Sequence, residues 1–306
     1  MILCCGEALI DMLPRKGADG ADVYQPFLGG SVYNTAIALS RLGTSTGFFA
    51  GLSNDFFGDS LVAGLKDAGV SEKYVRRKDR YTTLALVKLS DGHARYSFIE
   101  EGSAGRMLEK RDLPKVPKSV DALHFGSISL IPEPCGTTYE TLMKRSAKSH
   151  VISLDPNIRP TLIKDKKKHL ARLNRLIKLA DLVKISDEDI IWMTGKKDFA
   201  KVAAGWLKAG AKIVAVTRGG EGVEIHTKKH ALMLEAPKVK VADTVGAGDT
   251  FTAGFLTYLK RNGLLNKKAI AGIDATQLMH AAEFAMKCAA VTVSRPGANP
   301  PWAHEV

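Results

Sequence analysis

The chain lacks the features that would mark several large classes of protein. It has four cysteines, Cys4, Cys5, Cys135 and Cys288, and no CxxC or Cys/His spacing of the kind that holds zinc. That excludes a disulfide scaffold and a structural metal, and leaves buried, reduced thiols as in a cytoplasmic protein. It has no run of about eighteen apolar residues, so no membrane-spanning helix is expected. The opening MILCCGEALIDML is apolar but has no basic leader and carries Glu7 and Asp11, unlike a secretory signal. Low-complexity tracts and internal repeats do not occur. Two nucleotide fingerprints are missing too. Gly195-Lys196 has no glycine five residues before it, so there is no GxxxxGK[ST], and GAGDTF carries Phe251 where GxGxxG needs its third glycine.

What is present is an ordinary globular composition. With 306 residues, 45% of them hydrophobic, the chain can bury a large core as one big α/β domain or two small ones. Lysine and arginine exceed aspartate and glutamate by 44 to 32, a net charge of +12 that could attract nucleic acid or small anions. The charges are scattered. The densest run, Lys164–Lys168, opens a predicted helix and reads as a solvated face, so neither nucleic acid nor membrane is expected as a partner.

Strand-like and helical stretches alternate. Strands are predicted at Ile2–Met12, Thr46–Leu52, Ala122–Phe125, Val151–Asp155, Leu182–Ile185 and Ile213–Thr217. Helices are predicted at Tyr33–Leu42, stopped by Gly43, at Asp59–Ala68, and near 136–149, 166–180, 187–194, 198–209, 248–262 and 274–291. Such alternation predicts a doubly wound α/β fold with a mainly parallel sheet. Two hairpins interrupt it, Thr82–Leu89 with Ala94–Ile99 through Ser90-Asp91-Gly92-His93, and Val223–His226 with Ala231–Leu234. With no linker in sight, residues 1–306 read as a single domain, and segments 13–28 and 81–105 as a small β lid.

The most informative stretch is Asp243-Thr244-Val245-Gly246-Ala247-Gly248-Asp249-Thr250-Phe251. Val239–Ala242 before it is strand-like, and Phe251, Phe255 and Leu259 after it form a helical stripe. A turn of small residues therefore opens a helix, whose free amides and dipole attract anions. Asp249 in that first turn could simply cap the helix. It could also accept a proton from an attacking hydroxyl while the amides stabilise a transferring phosphoryl group.

DTVGAGDTFTAGFL, Asp243–Leu256, resembles the C-terminal signature of the ribokinase-like, or PfkB-type, carbohydrate kinases, and GGSVYNTA, Gly29–Ala36, is similar to their N-terminal signature. The resemblance runs from Gly6-Glu7 to Gly297-Ala298 and is strongest to fructokinase-type members. It implies a ribokinase-like fold with a β lid, and ATP-dependent phosphorylation of a primary sugar hydroxyl. By resemblance Asp249 is the catalytic base, and the amides at Gly246, Ala247 and Gly248 form its anion hole. Asp11, Gly29, Gly30 and Asn34 match sugar-binding positions. Arg159, in Asp155-Pro156-Asn157-Ile158-Arg159, is placed to hold an anionic group bidentately. Lys184, Ser186, Thr217, Gly219 and Gly222 match the nucleotide side. Ser186 and Asp189 stand where the family often carries Asn-x-x-Glu, so Asp189 is expected to serve magnesium (Mg2+) through water, with Glu188 as a neighbouring candidate. Asp243, with the Ser294–Gly297 loop, matches a potassium (K+) site.

The resemblance further implies a cytoplasmic enzyme and fructose as the acceptor, on GEALID and DPNIR, with 2-keto-3-deoxygluconate, ribose or a nucleoside as alternatives. A non-catalytic sugar sensor on the same fold is a third reading, opposed by the intact Asp249 and glycine cradle. Lid strands with open edges are suited to pairing in a homodimer.

Overall fold

A computed structural model of the protein describes residues 1–90 and 93–306. In chain order the first half comprises β1 (Ile2–Cys5), β2 (Leu9–Lys16), β3 (Asp22–Gly29), α1 (Ser31–Arg41), β4 (Thr46–Phe49), β5 (Gly51–Ser53), α2 (Phe56–Asp67), β6 (Arg76–Lys78), β7 (Leu84–Ser90), β8 (His93–Ile99), β9 (Ala122–Gly126) and α3 (Cys135–Ser146). The second half comprises β10 (Val151–Asp155), α4 (Lys166–Ile177), β11 (Leu182–Ser186), α5 (Asp187–Thr194), α6 (Phe199–Ala209), β12 (Ile213–Thr217), β13 (Val223–His226), β14 (Ala231–Leu234), α7 (Ala247–Arg261), α8 (Lys267–Ala271) and α9 (Ala275–Val293).

The large sheet runs β14-β13-β12-β11-β10-β9-β1-β4. Strands β4 to β12 in that order are parallel, and β13 and β14 are antiparallel. Its parallel strands are buried along nearly their whole length because both faces are covered. Side chains alternate across the sheet, so Ile2 and Cys4 join one apolar cluster while Leu3 and Cys5 join the other. The first cluster lies under α1, α2, α7, α8 and α9, and the second under α3, α4, α5 and α6. From β1 the chain proceeds to β4 on one side and later returns to β9 on the other. That reversal opens a crevice beyond the carboxyl ends of β1 and β9, where ligands bind in open α/β sheets.

A second sheet, β3-β2-β7-β8, contains most of the 13–28 and 81–105 segments. Its β7–β8 connection, Asp91-Gly92, lies outside the described residues. Three expectations are corrected. Ile2–Met12 is not one strand. The chain leaves the large sheet at Gly6, where a Cβ would stand 2.5 Å from Val32, and re-enters strand geometry at Leu9, paired with Gly29 in the second sheet. Asp11 therefore belongs to the second sheet. Thr46–Leu52 likewise divides at Ala50, because β5 leaves β4's ladder to pair with β6. Val239–Ala242 forms no strand; Val239 and Val241 are 42% and 59% exposed and have no neighbouring strand to pair with. Among the described residues no helix is long and apolar enough to cross a membrane, and all four cysteines are free and buried.

Candidate active site

Two cavities open at the crevice. One, of about 260 Å³, lies between the strand ends and the second sheet, with Asp11, Asn34, Tyr96, Arg159 and Asp249 on its wall. The other, of about 630 Å³, lies over β11 and β12 and is bounded by the 236–241 loop, α7 and α9. They share three wall residues, Lys184, Thr244 and Gly248.

Gly248 and Asp249 sit in the first turn of α7. Gly246 precedes the helix at φ 78, left-handed backbone that favours glycine, and a Cβ there would stand 2.9 Å from Ala298. Phe255, Leu256 and Leu259 anchor the helix in the core, each side chain contributing about 1.5–3 kcal/mol over an exposed position. At its N-terminus the Ala247 amide donates to Thr244 O at 3.3 Å, whereas the Gly248 and Asp249 amides meet no acceptor among the described residues. These two are free to bind an anion in the shared wall. At Gly248 a Cβ would come within 2.6 Å of the Lys184 ammonium nitrogen, so any side chain there would displace that cation.

Asp249 does not cap its own helix. Its Oδ1 accepts from Ser31 Oγ at 2.6 Å and its Oδ2 from Asn34 Nδ2 at 3.0 Å. Ser31 Oγ in turn accepts from Asn157 Nδ2 at 2.7 Å, and Asn157 Oδ1 accepts from Arg159 at 2.6 Å. Burial pushes the Asp249 carboxyl above its ordinary range, opposed by the Ser31 and Asn34 hydrogen bonds. A buried carboxylate held by two donors and lifted towards neutrality is suited to take a proton from a hydroxyl.

The structure brings most of the predicted sugar-side residues together. Asp11, Gly30, Asn34 and Arg159 line the smaller cavity. Burial lifts Asp11 to about 6, with Arg159 pulling it down and Asp249 adding to the rise. Gly29 stands behind the wall: a Cβ there would meet Asp11 Oδ2 at 2.1 Å, so this glycine makes room for the carboxylate. On the other side, Lys184, Ser186, Thr217, Gly219 and Gly222 all line the larger cavity. Gly222 is fixed by φ 110 and by Leu234 O, 1.9 Å from where a Cβ would stand.

Two predicted metal residues lie apart from the cavities. Asp189 is turned inward, its Oδ1 accepting from Ile158 N at 3.2 Å, and burial together with Asp155 lifts it to about 6. Asp187 and Glu188 line the larger cavity in its place. Asp243 ties two loops together, accepting from Val245 N at 3.0 Å and Gly297 N at 2.9 Å.

Sequence reasoning passed over several residues of the site. Ser31 and Asn157 stand inside GGSVYNTA and DPNIR but showed no sign of their contacts with Asp249 and with each other. Tyr96 and Phe98, stacked with ring centroids 6.0 Å apart, wall the smaller cavity from the second sheet. Asp155, also within DPNIR, is another: it pairs at 3.0 Å with Lys184, which is buried.

With this geometry in place, comparison with known proteins is specific. The family model described as pfkB family carbohydrate kinase matches residues 1–305. A fructokinase from Rhizobium leguminosarum bv. trifolii is 50% identical over 278 residues, covering 91% of this chain and 85% of that protein. The crystal structure of a Xylella fastidiosa fructokinase with bound ATP superposes with a TM-score of 0.90 at 28% identity, covering 97% of this chain and 93% of that one. A Vibrio cholerae O395 fructokinase in a fructose-, ADP- and calcium-bound form superposes with a TM-score of 0.85 at 27% identity, over 97% of this chain and 94% of that one.

Proposed function

This chain belongs to the pfkB family of carbohydrate kinases and is an ATP-dependent sugar kinase, and from that premise we propose that it phosphorylates fructose on its 6-hydroxyl. The observation that carries the reading is the meeting of two cavities at Lys184, Thr244 and Gly248, with Asp249 on the smaller one. Fructose occupies the smaller cavity, its hydroxyls held by Asp11, Asn34 and Arg159 beside the Gly30 backbone. ATP occupies the larger one, along Ser186, Thr217, Gly219 and Gly222. Asp249 accepts the proton of the 6-hydroxyl as that oxygen bonds to the γ-phosphorus. The bond from the γ-phosphorus to the bridging oxygen breaks, and ADP leaves with its electron pair. The Gly248 and Asp249 amides and the Lys184 ammonium stabilise the charge on the moving group.

Magnesium would enter with the nucleotide. Among the described residues no cluster of three or more His, Cys, Asp or Glu gathers. The phosphates would therefore supply most of its ligands, with Asp187 and Glu188 reaching it through water, as a small, strongly hydrated cation prefers. Bound there it offsets phosphate charge. Each Asp243 oxygen takes one amide and keeps a lone pair, which suits potassium beside the carbonyls of the 294–297 loop.

The second sheet serves as the lid that excludes water from the transfer. Its edge strand β3 carries Val23, Tyr24, Phe27 and Leu28, all more than a third exposed, the surface through which we place a homodimer. Four buried, free cysteines agree with a cytoplasmic protein.

The test is kcat/KM with ATP for fructose, ribose, glucose, tagatose and 2-keto-3-deoxygluconate. Fructose is expected to lead, since a site that hydrogen-bonds several hydroxyls rejects acceptors that leave its polar groups unpaired. Another acceptor about tenfold better would remove fructose and leave the sugar kinase.

A further inference from the structure

Asp155 ends β10 and Lys184 is the middle residue of β11, the next strand of the parallel sheet. Their side chains meet at 3.0 Å, and Asp155 and Lys184 are only 1% and 6% exposed. Asp155 Oδ2 accepts from the lysine, while its Oδ1 is buried with no partner among the described residues. An ion pair this deep is a poor choice for stability alone, because a well-packed apolar pair does as well or better.

The position of the ammonium supplies a reason for it. Lys184 belongs to the wall of both cavities, and its Nζ rests against Gly248, whose amide is free. A group passing from one cavity to the other passes this cation. Burial works against the charge on Lys184, but its acidic neighbours, Asp155 foremost, together offset it and hold the ammonium above its ordinary value. Asp249 from α7 and Asp189 from α5 add to that effect. His124 from β9, hydrogen-bonded to Ser153 Oγ at 3.0 Å, is lowered to about 4 by burial and stays neutral.

We propose that Asp155 is a positioning residue for phosphoryl transfer: it fixes the Lys184 ammonium at the junction of the two cavities, where the charge of the moving group is met. The proposal rests on the kinase reading above. It assigns Asp155 no contact with substrate and makes its effect depend wholly on Lys184.

A double-mutant cycle tests that dependence. Lys184→Met should lower kcat by about 10²–10³-fold, the range for loss of one preorganised electrostatic group. Asp155→Asn should lower kcat by about 10–10²-fold through a misplaced ammonium, with KM for fructose within about twofold. The combined variant should be no worse than Lys184→Met within about threefold, since residues in one chain of action are not additive. Asp155→Glu, which keeps the charge and moves it by one methylene, covers the case in which Asp155→Asn fails to fold. It should fold with a melting temperature lowered by the added methylene and lose about tenfold in kcat. Losses that multiply in the combined variant, or Asp155→Glu with the parent kcat, overturn the proposal while leaving the kinase reading intact. A parent enzyme that phosphorylates no sugar overturns both.

Discussion

Gly248→Ala separates stability from catalysis by giving them opposite signs. Gly248 lies in the first turn of α7 and is not among the glycines with left-handed backbone, so alanine fits its conformation. Alanine in place of glycine in a helix is worth about 0.5–1 kcal/mol of stability. The new methyl would stand 2.6 Å from the Lys184 ammonium nitrogen, too close for any contact. To regain van der Waals separation the ammonium must retreat by roughly 0.8 Å, and Asp155 at 3.0 Å leaves it little room. The flexible lysine can move without unfolding anything, so the melting temperature should hold or rise. Catalysis is less tolerant, because a displacement near 1 Å at a reacting centre can cost about 10²-fold. We therefore expect kcat to fall about 10–10²-fold, measured by coupled ADP release, while thermal unfolding is unchanged or later. A Gly248→Ala enzyme with the parent kcat would show that the position the structure gives the adjacent ammonium does not matter.

Four further outcomes follow from the same geometry. Asp249→Asn keeps the shape of the carboxylate and should lower turnover by about 10²–10⁴-fold at an unchanged melting temperature; near-normal turnover would remove Asp249 as the base. Because burial raises the Asp249 pKa and the base acts ionised, activity should fall as pH drops through a value above the usual carboxylate range. Ser31→Ala removes a hydrogen bond that favours the ionised form and should move that limb to still higher pH; a limb that moves to lower pH would contradict the assignment. Gly29→Ala would drive a methyl to 2.1 Å from Asp11 Oδ2, so KM for the sugar should rise about tenfold or more with KM for ATP little changed, and equal shifts in both would refute a role confined to the sugar cavity.

The parallel sheet was legible because each buried strand reads as a short apolar run between turn residues, and the hairpin of β13 and β14 was read at its observed limits. The break between β1 and β2 was hidden by the same apolar continuity, as Gly6, Glu7 and Ala8 are buried like the strands on either side. β3 falls within the 13–28 segment read as β lid, but its own limits were not legible: DVYQPFLG contains Pro26 and is exposed along most of its length. In the candidate site, Asp249 and its glycines stood out because small residues at a helix start have a direct physical use. Ser31 and Asn157 did not, because their contacts join positions 218 and 126 residues apart, and no local pattern encodes such pairs. Asp189 was placed by its spacing from Thr194-Gly195, yet spacing says nothing of the inward turn towards Ile158 N.

The two cavities have almost no wall in common. One draws its distinctive surface from β2, β8 and the start of α1; the other draws it from the ends of β11 and β12, the 219–222 and 236–241 loops, α7 and α9. Only Lys184, Thr244 and Gly248 answer to both. Substitutions in the second sheet can thus reshape what the molecule accepts without disturbing how it handles its phosphate donor. Acceptor preference and donor use are separately heritable in this architecture, and a population of such genes can diversify in the first while the second stays fixed.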